Sequence, residues 1–413
     1  MLKFPKIGKD LKGTFPQTIV MNEVNTLELK ETALRLAKNT EGFGRRYFLS
    51  GIEIGKEPRV KVLRGFRGVG KTTALLQLMG PGAIYFSMDN PHVSVSTLYD
   101  IGKKFVLEGY KMLFIDEVHH YKRWNEDTKA LYDEFPQLSM AVSGSAPLAF
   151  APERRYELIE VEPLSLREFI ELGGRTPVPT ASGAWMDINL AVGLLAENPW
   201  LYESFDAYMD GGAFPIYFTY SGKTLKSVYN SIQKSIREDA VFLPNVDGEL
   251  VTQMARALVF LASSLLGEFS INNLSKNLSI SKNKAYYMIS LLESMKILRM
   301  VRPYGRGAKL IRGDPKLMFY HPVLRKAICA ELGLQADKGA LREELAVSCF
   351  ISRGWNVSTI KGMKRSPDYV ITKWAEKLIV EIGGASKSRA QFKGFLEKTL
   401  LICDKQLIAL ALL

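Results

Sequence analysis

Cysteine is scarce. The chain has three in 413 residues, Cys329, Cys349 and Cys403, too few and too scattered for a disulfide framework or a thiolate metal cluster. Their apolar neighbours read as the setting of buried thiols in a reducing compartment. Long apolar runs are missing too: no stretch reaches the roughly 20 residues that a membrane-spanning helix needs, so no membrane association is expected. The first residues, Met1-Leu-Lys-Phe-Pro-Lys, hold no apolar core of a secretory leader, and the expected compartment is the cytoplasm. Only four histidines occur, and the adjacent pair His119-His120 points in different directions on a helix, with no cysteine or carboxylate to complete a metal site. Acidic residues are outnumbered, 43 against 55 basic ones, for a net charge of +12. That balance suggests an acidic partner such as nucleic acid, or simply a charged surface. Hydrophobic residues make up 47% of the chain, enough for several cores, and the length suggests about two to four domains.

What is present begins with Gly65-Phe66-Arg67-Gly68-Val69-Gly70-Lys71-Thr72-Thr73. The stretch follows a β-type run, Arg59–Leu63, and leads into a helical pattern, Ala74–Met79. This is the phosphate-binding loop spacing, in its strand–loop–helix setting. A nucleotide's phosphates must approach the backbone closely, so side chains have to be absent. Gly65, Gly68 and Gly70 let successive N–H groups turn inward around an anion, and the following helix adds its positive end. Lys71 is placed to reach the β- and γ-phosphates, and the Thr72 hydroxyl to bind Mg²⁺.

From Tyr47 to Val161 short apolar runs alternate with helical segments, which predicts a parallel α/β sheet. The runs are Arg59–Leu63, Ala83–Phe86, Lys111–Ile115, Gln137–Val142 and Leu158–Val161. The third ends in Asp116-Glu117. Four apolar residues followed by two acids, about 45 residues after a phosphate-binding loop, fit a strand whose Asp116 holds Mg²⁺ and whose Glu117 polarises the attacking water. ATP hydrolysis is the reaction this predicts.

The stretch Ile115-Asp-Glu-Val-His-His-Tyr-Lys-Arg-Trp124, then Leu131-Tyr-Asp-Glu-Phe-Pro136, Ser143-Gly-Ser145, Pro163-Leu-Ser-Leu-Arg-Glu-Phe169 and Gly211-Gly-Ala-Phe-Pro215 carry a further signal. Together they resemble the archaeal-type P-loop ATPases of the AAA+/STAND group, strongly over residues 45–240 and loosely beyond. The resemblance implies an ATPase core at 45–164 and a helical lid at 165–245 that moves with nucleotide state. It implies a sensor role for Ser143, or else Ser145, a catalytic arginine at Arg155, and Pro215 beside the adenine. Arg154 stands where the family has a glycine. A homo-oligomer is implied as well. Residues 1–44 form an extension with a helix around Val24–Lys38, its inner side carrying Leu27, Leu34 and Ala37, expected to pack on the nucleotide domain.

Residues 246–312 predict three helices and a two-stranded wing, a winged helix-turn-helix. Met254, Leu258, Leu261 and Leu265 mark the first helix, Ser270 and Ser281 cap the next two, and Ile297–Val301 pairs with a strand near Lys309–Ile311. Lys282, Asn283 and Lys284 open the second helix of the motif, and Arg302 and Arg306 lie in the wing. From Lys296 to Arg312 there are six basic residues and no acidic one. Contact with double-stranded DNA is the expectation, with packing against a lid or partner as the alternative.

Residues 313–413 read as a small α/β domain with a final apolar strand, and Pro367-Asp368 and Glu381 resemble the carboxylates of restriction-endonuclease-like folds. Glu343 or Glu344 is available from a preceding helix, and Lys387 from a neighbouring loop. Gly383 stands at the lysine position, so a degenerate, inactive domain is expected. The competing functions are an ATP-regulated nuclease using Asp368 and Glu381, and a DNA-binding regulator that holds ATP without turnover.

Overall fold

The computed structural model describes residues 24–93, 96–145, 154–220, 222–243, 245–265, 270–305, 314–360, 367–384 and 389–413. The five apolar runs form one parallel sheet of β1 (Val60–Gly65), β2 (Ala83–Ser87), β3 (Met112–Asp116), β4 (Ser139–Ser145) and β5 (Tyr156–Glu160), in the order β2-β3-β4-β1-β5. Helices Lys71–Leu78, Leu98–Leu107 and Trp124–Glu134 connect the strands. Strands wedged between helices bury both faces and read as unbroken apolar runs. Val62, Leu63, Leu113, Phe114, Ile115 and Val142 are accordingly fully buried. The α/β sheet predicted from the sequence is the one the chain forms.

Strand order fixes the site. β4 lies between β1 and β3, pairing Leu63 with Ser143 on one side and Ile115 with Val142 on the other. The carboxyl end of β4 therefore separates the loop after β1 from the acids after β3. Parallel sheets place ligands at such ends.

The helix Thr26–Thr40 packs on helix Lys71–Leu78 and β2, as expected of the extension. Its buried side is Leu29 and Ala33, however, not Leu27 and Leu34, which are exposed. The apolar positions of this helix spread around its circumference, so spacing alone did not single out the inner face.

Residues after Ser165 are helical. The capping box of Ser165 and Glu168 is present, with both reciprocal bonds made. Helices Leu166–Leu172, Ile188–Glu197, Trp200–Ala207 and Thr224–Lys234 follow. The next elements are helices Gly248–Ser263, Ile271–Asn277 and Lys282–Ser294, capped by Asp247, Ser270 and Ser281. Met254, Leu258 and Leu261 are buried as predicted, whereas Leu265, beyond the helix end, is exposed. β6 (Leu298–Val301) pairs antiparallel with β7 (Lys316–Phe319). The return strand expected near Lys309–Ile311, together with Arg306, lies outside the described residues.

The last sheet has the order β11-β10-β9-β8, from β8 (Asn356–Thr359), β9 (Tyr369–Lys373), β10 (Glu376–Ile382) and β11 (Lys398–Ile402). The carboxyl-terminal apolar segment is a helix, Asp404–Leu412, rather than a strand. Its run of Leu and Ala suits a helix that is apolar all round, and nearly every residue is buried. It packs on the helices Ile188–Glu197 and Lys338–Ser352, and the Leu412 carbonyl accepts from Arg167 Nε at 3.0 Å. The third sheet is thereby tied to the helices that follow the first.

Candidate nucleotide site

Gly70 has φ of +98° and Gly68 of +87°, the left-handed conformations that turn backbone N–H groups toward one point. A Cβ on Gly65 would lie 2.3 Å from the Val161 carbonyl oxygen, so no other residue fits where β1 enters the loop. Lys71 is buried, and its Nζ donates to the carbonyls of Gly65 and Phe66 at 2.9 and 3.0 Å. Burial lowers its pKa, opposed by the charges of Glu117 and Asp116.

Thr72 Oγ1 donates to Asp116 Oδ2 at 2.6 Å, joining the loop to the end of β3. The same carboxylate accepts from Tyr85 Oη at 2.9 Å and from the Ser143 hydroxyl. Thr72 and Asp116 offer hard oxygen donors side by side, a set that suits Mg²⁺ better than a softer metal. Glu117 follows with φ of +48°, an uncommon conformation for a non-glycine residue and one concentrated at functional sites. Burial and then the Asp116 charge raise its pKa. A cavity of about 510 Å³ opens against these acids, walled by Thr72, Ser87, Asp89, Asp116 and Glu117, with Leu29 and Thr32 of the amino-terminal helix opposite.

The helical segment closes over the loop. Phe214 packs edge-on against Phe66, with ring centroids 5.8 Å apart. Pro215 lies beside Gly70, its Cγ 3.6 Å from where a Cβ would stand. Arg67 reaches Asp239, with NH2 to Oδ1 at 2.8 Å. Beneath the loop, Arg46 NH1 donates to the carbonyls of Val69 and Glu162 at 2.9 and 2.8 Å, while its other nitrogens bond Glu168.

Gly65 to Thr73, Asp116, Glu117, Ser143 and Pro215 are thus brought together. Arg155 instead pairs with Asp133 of the helix Trp124–Glu134, Nε to Oδ1 at 3.2 Å. Ser145, the alternative sensor, contacts His119 Nε2 at 3.2 Å. The reading of His119 and His120 as lacking a carboxylate needs correction: Asp239 brings one, and the three place ligand atoms within 4.8 Å of one another. It comes from another segment, invisible to local spacing, and its charge is already met by Arg67. Tyr85, Arg46 and Asp239 were missed by sequence reasoning. Tyr85 is one aromatic in an apolar strand, and Arg46 and Asp239 act across more than a hundred residues.

The other predicted surfaces divide. Lys282, Asn283 and Arg302 are exposed, but Lys284 is half-buried and paired with Glu249 at 2.8 Å. Two bases of the stretch expected to form a wing turn inward: Lys296 pairs with Glu160 at 3.1 Å, and buried Arg299 stacks on Tyr320 with its guanidinium 4.0 Å from the ring centre. In the last sheet, Asp368 and Glu381 adjoin as expected: the Asp368 N–H donates to Glu381 Oε2 at 3.1 Å and the Ile382 N–H to Asp368 Oδ2 at 2.9 Å. Glu343 nearby is held by Lys316 and by Tyr369 Oη, and Glu381 is fully buried. Lys387 lies outside the described residues. Glu344 faces away into a buried pair with Arg325, NH2 to Oε1 at 2.8 Å. Among the described residues no helix is long and apolar enough to cross a membrane.

Residues 57–170 match the family described as AAA domain, and residues 202–338 match a domain of unknown function, DUF8612. An uncharacterized protein of Methanocaldococcus jannaschii is 24% identical over 371 residues, covering 82% of this chain and 78% of its own. Among solved structures, replication initiator DnaA bound to AMPPCP and single-stranded DNA gives a TM-score of 0.24 at 14% identity, over 65% of this chain and 89% of that one. A STAND protein with a tetratricopeptide repeat sensor from Pyrococcus horikoshii gives 0.24 at 10%, over 78% and 45%. These structural likenesses are too slight to assign fold or function. The family match and the loop geometry agree on the core: residues 57–170 form an AAA-type P-loop domain.

Proposed function

We propose that the protein binds ATP with Mg²⁺ and hydrolyses it, acting as a nucleotide-driven switch or motor on double-stranded DNA or a DNA-bound complex. The observation that carries the ATP reading is the junction of loop and acids: Thr72 bonded to Asp116 at 2.6 Å, with Glu117 next to it. Residues 65–73 hold the phosphates, and Lys71 exchanges its carbonyl partners for phosphate oxygens. Thr72 and Asp116 hold the Mg²⁺, which supplies charge neutralisation on the phosphates. Glu117 takes a proton from the attacking water; its raised pKa brings it nearer to the working pH of a base. Ser143 orients Asp116 and senses the γ-phosphate, and Pro215 flanks the base. Arg155, immediately before β5 and paired with Asp133, supplies charge to a neighbouring subunit in a homo-oligomer.

DNA contact falls to Lys282, Asn283, Lys284, Arg302 and Arg306 of a winged helix-turn-helix at 246–312, supported by the exposed Lys282, Asn283 and Arg302 and by the net charge of +12. The segment 313–413 acts as a scaffold of degenerate nuclease type, since Gly383 stands at the lysine position beyond Asp368 and Glu381. Turnover measured with and without duplex DNA tests the reading. DNA should stimulate hydrolysis in the wild type. Rates equal to those of Lys71→Ala under both conditions would remove it.

A further inference from the structure

His119 stands where three parts of the molecule meet. Its Nδ1 faces Glu117 Oε2 at 3.2 Å. Its Nε2 lies 3.2 Å from Ser145 Oγ, at the end of β4, and 3.4 Å from Asp239 Oδ1. Asp239 belongs to the helical segment after the core, is completely buried, and accepts from Arg67 NH2 at 2.8 Å. Phe242, three residues on, packs edge-on against both histidine rings, with centroids at 6.0 and 5.0 Å. The chain Arg67–Asp239–His119–Glu117 thus runs from the phosphate-binding loop through the lid and back to the acid beside it.

Two features set this apart from an ordinary satisfied core histidine. Glu117 Oε2 and His119 Nδ1 are both buried and lie within hydrogen-bonding distance, but they lack the alignment of a hydrogen bond. Asp239 Oδ2 is likewise buried without a hydrogen-bond partner among the described residues. Orphaned polar atoms in a folded interior carry a cost, and a small rotation that aims an Nδ1–H at Glu117 Oε2 would recover it for that pair. What sets that rotation is the far nitrogen, held by Asp239 and Ser145.

We infer that His119 is a positioning residue that makes Glu117 dependent on the lid: docking of Asp239 sets the imidazole, and the imidazole sets the carboxylate that activates water. The inference rests on the hydrolytic reading of Glu117. Its consequence is that the lid's position enters turnover through Glu117 rather than through nucleotide affinity.

The test uses the full-length protein and the variants His119→Asn, Asp239→Asn and the pair together. Turnover should fall roughly 10-fold or more in each single variant, a loss of the size that misplacement of a reacting group produces. Affinity for a fluorescent ATP analogue should stay within about twofold of wild type, and the double variant should be no worse than the poorer single one. A second readout does not need turnover. The Tm effects of Glu117→Gln and Asp239→Asn should be non-additive when His119 is present and additive in the His119→Asn background. Unchanged turnover, multiplied effects in the double variant, or loss of affinity equal to the loss of rate would overturn the relay. Absent hydrolysis in wild type would remove the hydrolytic reading alone, and the Tm cycle then decides whether His119 couples the two acids.

Discussion

His321 offers a calculation from structure to measurement. It precedes the helix Pro322–Glu331, where its Nδ1 accepts from the Val323 N–H at 3.3 Å. Nε2 lies 3.1 Å from Tyr208 Oη, and that hydroxyl donates to the Leu164 carbonyl at 2.8 Å, so Nε2 must carry the proton. Both nitrogens are committed to the neutral form. Burial, and then the Arg299 charge, push its pKa down to about 3. In the unfolded chain the value is about 6.5. The unfolded state therefore binds the proton first, and stability is full above about pH 6.5 and lost as pH falls toward 3. At pH 5 the loss is about 2 kcal/mol, from some 1.5 pH units at about 1.36 kcal/mol each. Thermal or urea unfolding of wild type and His321→Asn at pH 7.5 and pH 5 reads it out. The variant should be the less stable at pH 7.5, having lost the Tyr208 contact. The gap should narrow by about 2 kcal/mol at pH 5, because the other titrating groups are common to both proteins. Parallel curves would instead show that His321 accepts a proton in the folded protein.

Three further outcomes are expected. Glu344→Ala strands the buried Arg325 guanidinium and should cost about 3–5 kcal/mol, whereas Arg325→Met with Glu344→Leu should cost less than the single change; a milder single variant in urea unfolding would show the pair to be dispensable. Lys282→Ala with Arg302→Ala should weaken duplex binding by fluorescence anisotropy and reduce the salt slope by about 2, while Lys296→Ala, which removes an inward-turned base, leaves the slope unchanged; equal slopes for all three proteins would exclude this face. Plasmid and branched DNA should stay intact with Mg²⁺ or Mn²⁺, and cutting that disappears in Asp368→Ala would reverse the assignment of residues 313–413 as scaffold.

Much of the site was readable because its chemistry is local in sequence. Three glycines, Lys71 and Thr72 sit between a strand and a helix, and Asp116-Glu117 ends a strand, so nine consecutive residues and one pair make up most of the candidate site. The five strands were legible for a related reason, since strands covered on both faces are uninterrupted apolar runs. Less was legible where partners are distant. Asp239 looks like any acid at a helix end, yet it meets Arg67 and His119. Hydrogen bonds from both hold it well below the usual carboxylate range, against the opposing effect of burial. Counting charge over the expected wing overstates its free basic surface: Arg299 and Lys296 are basic, but each lies over the Tyr320 ring, and Glu160 pairs with Lys296. The apolar tail read as a strand because seven residues of Leu, Ile and Ala fit either period, and only the neighbouring helices select one.

Lys71, Thr72, Asp116 and Glu117 are proposed to form a hydrolytic ATP site. Its most direct test is steady-state phosphate release by wild type, Lys71→Ala and Glu117→Gln, with ATP affinity measured on the same samples. Wild type should hydrolyse ATP, Lys71→Ala should lose binding and turnover, and Glu117→Gln should retain binding with turnover reduced about 100-fold or more. Glu117→Gln turning over ATP as fast as wild type would contradict it.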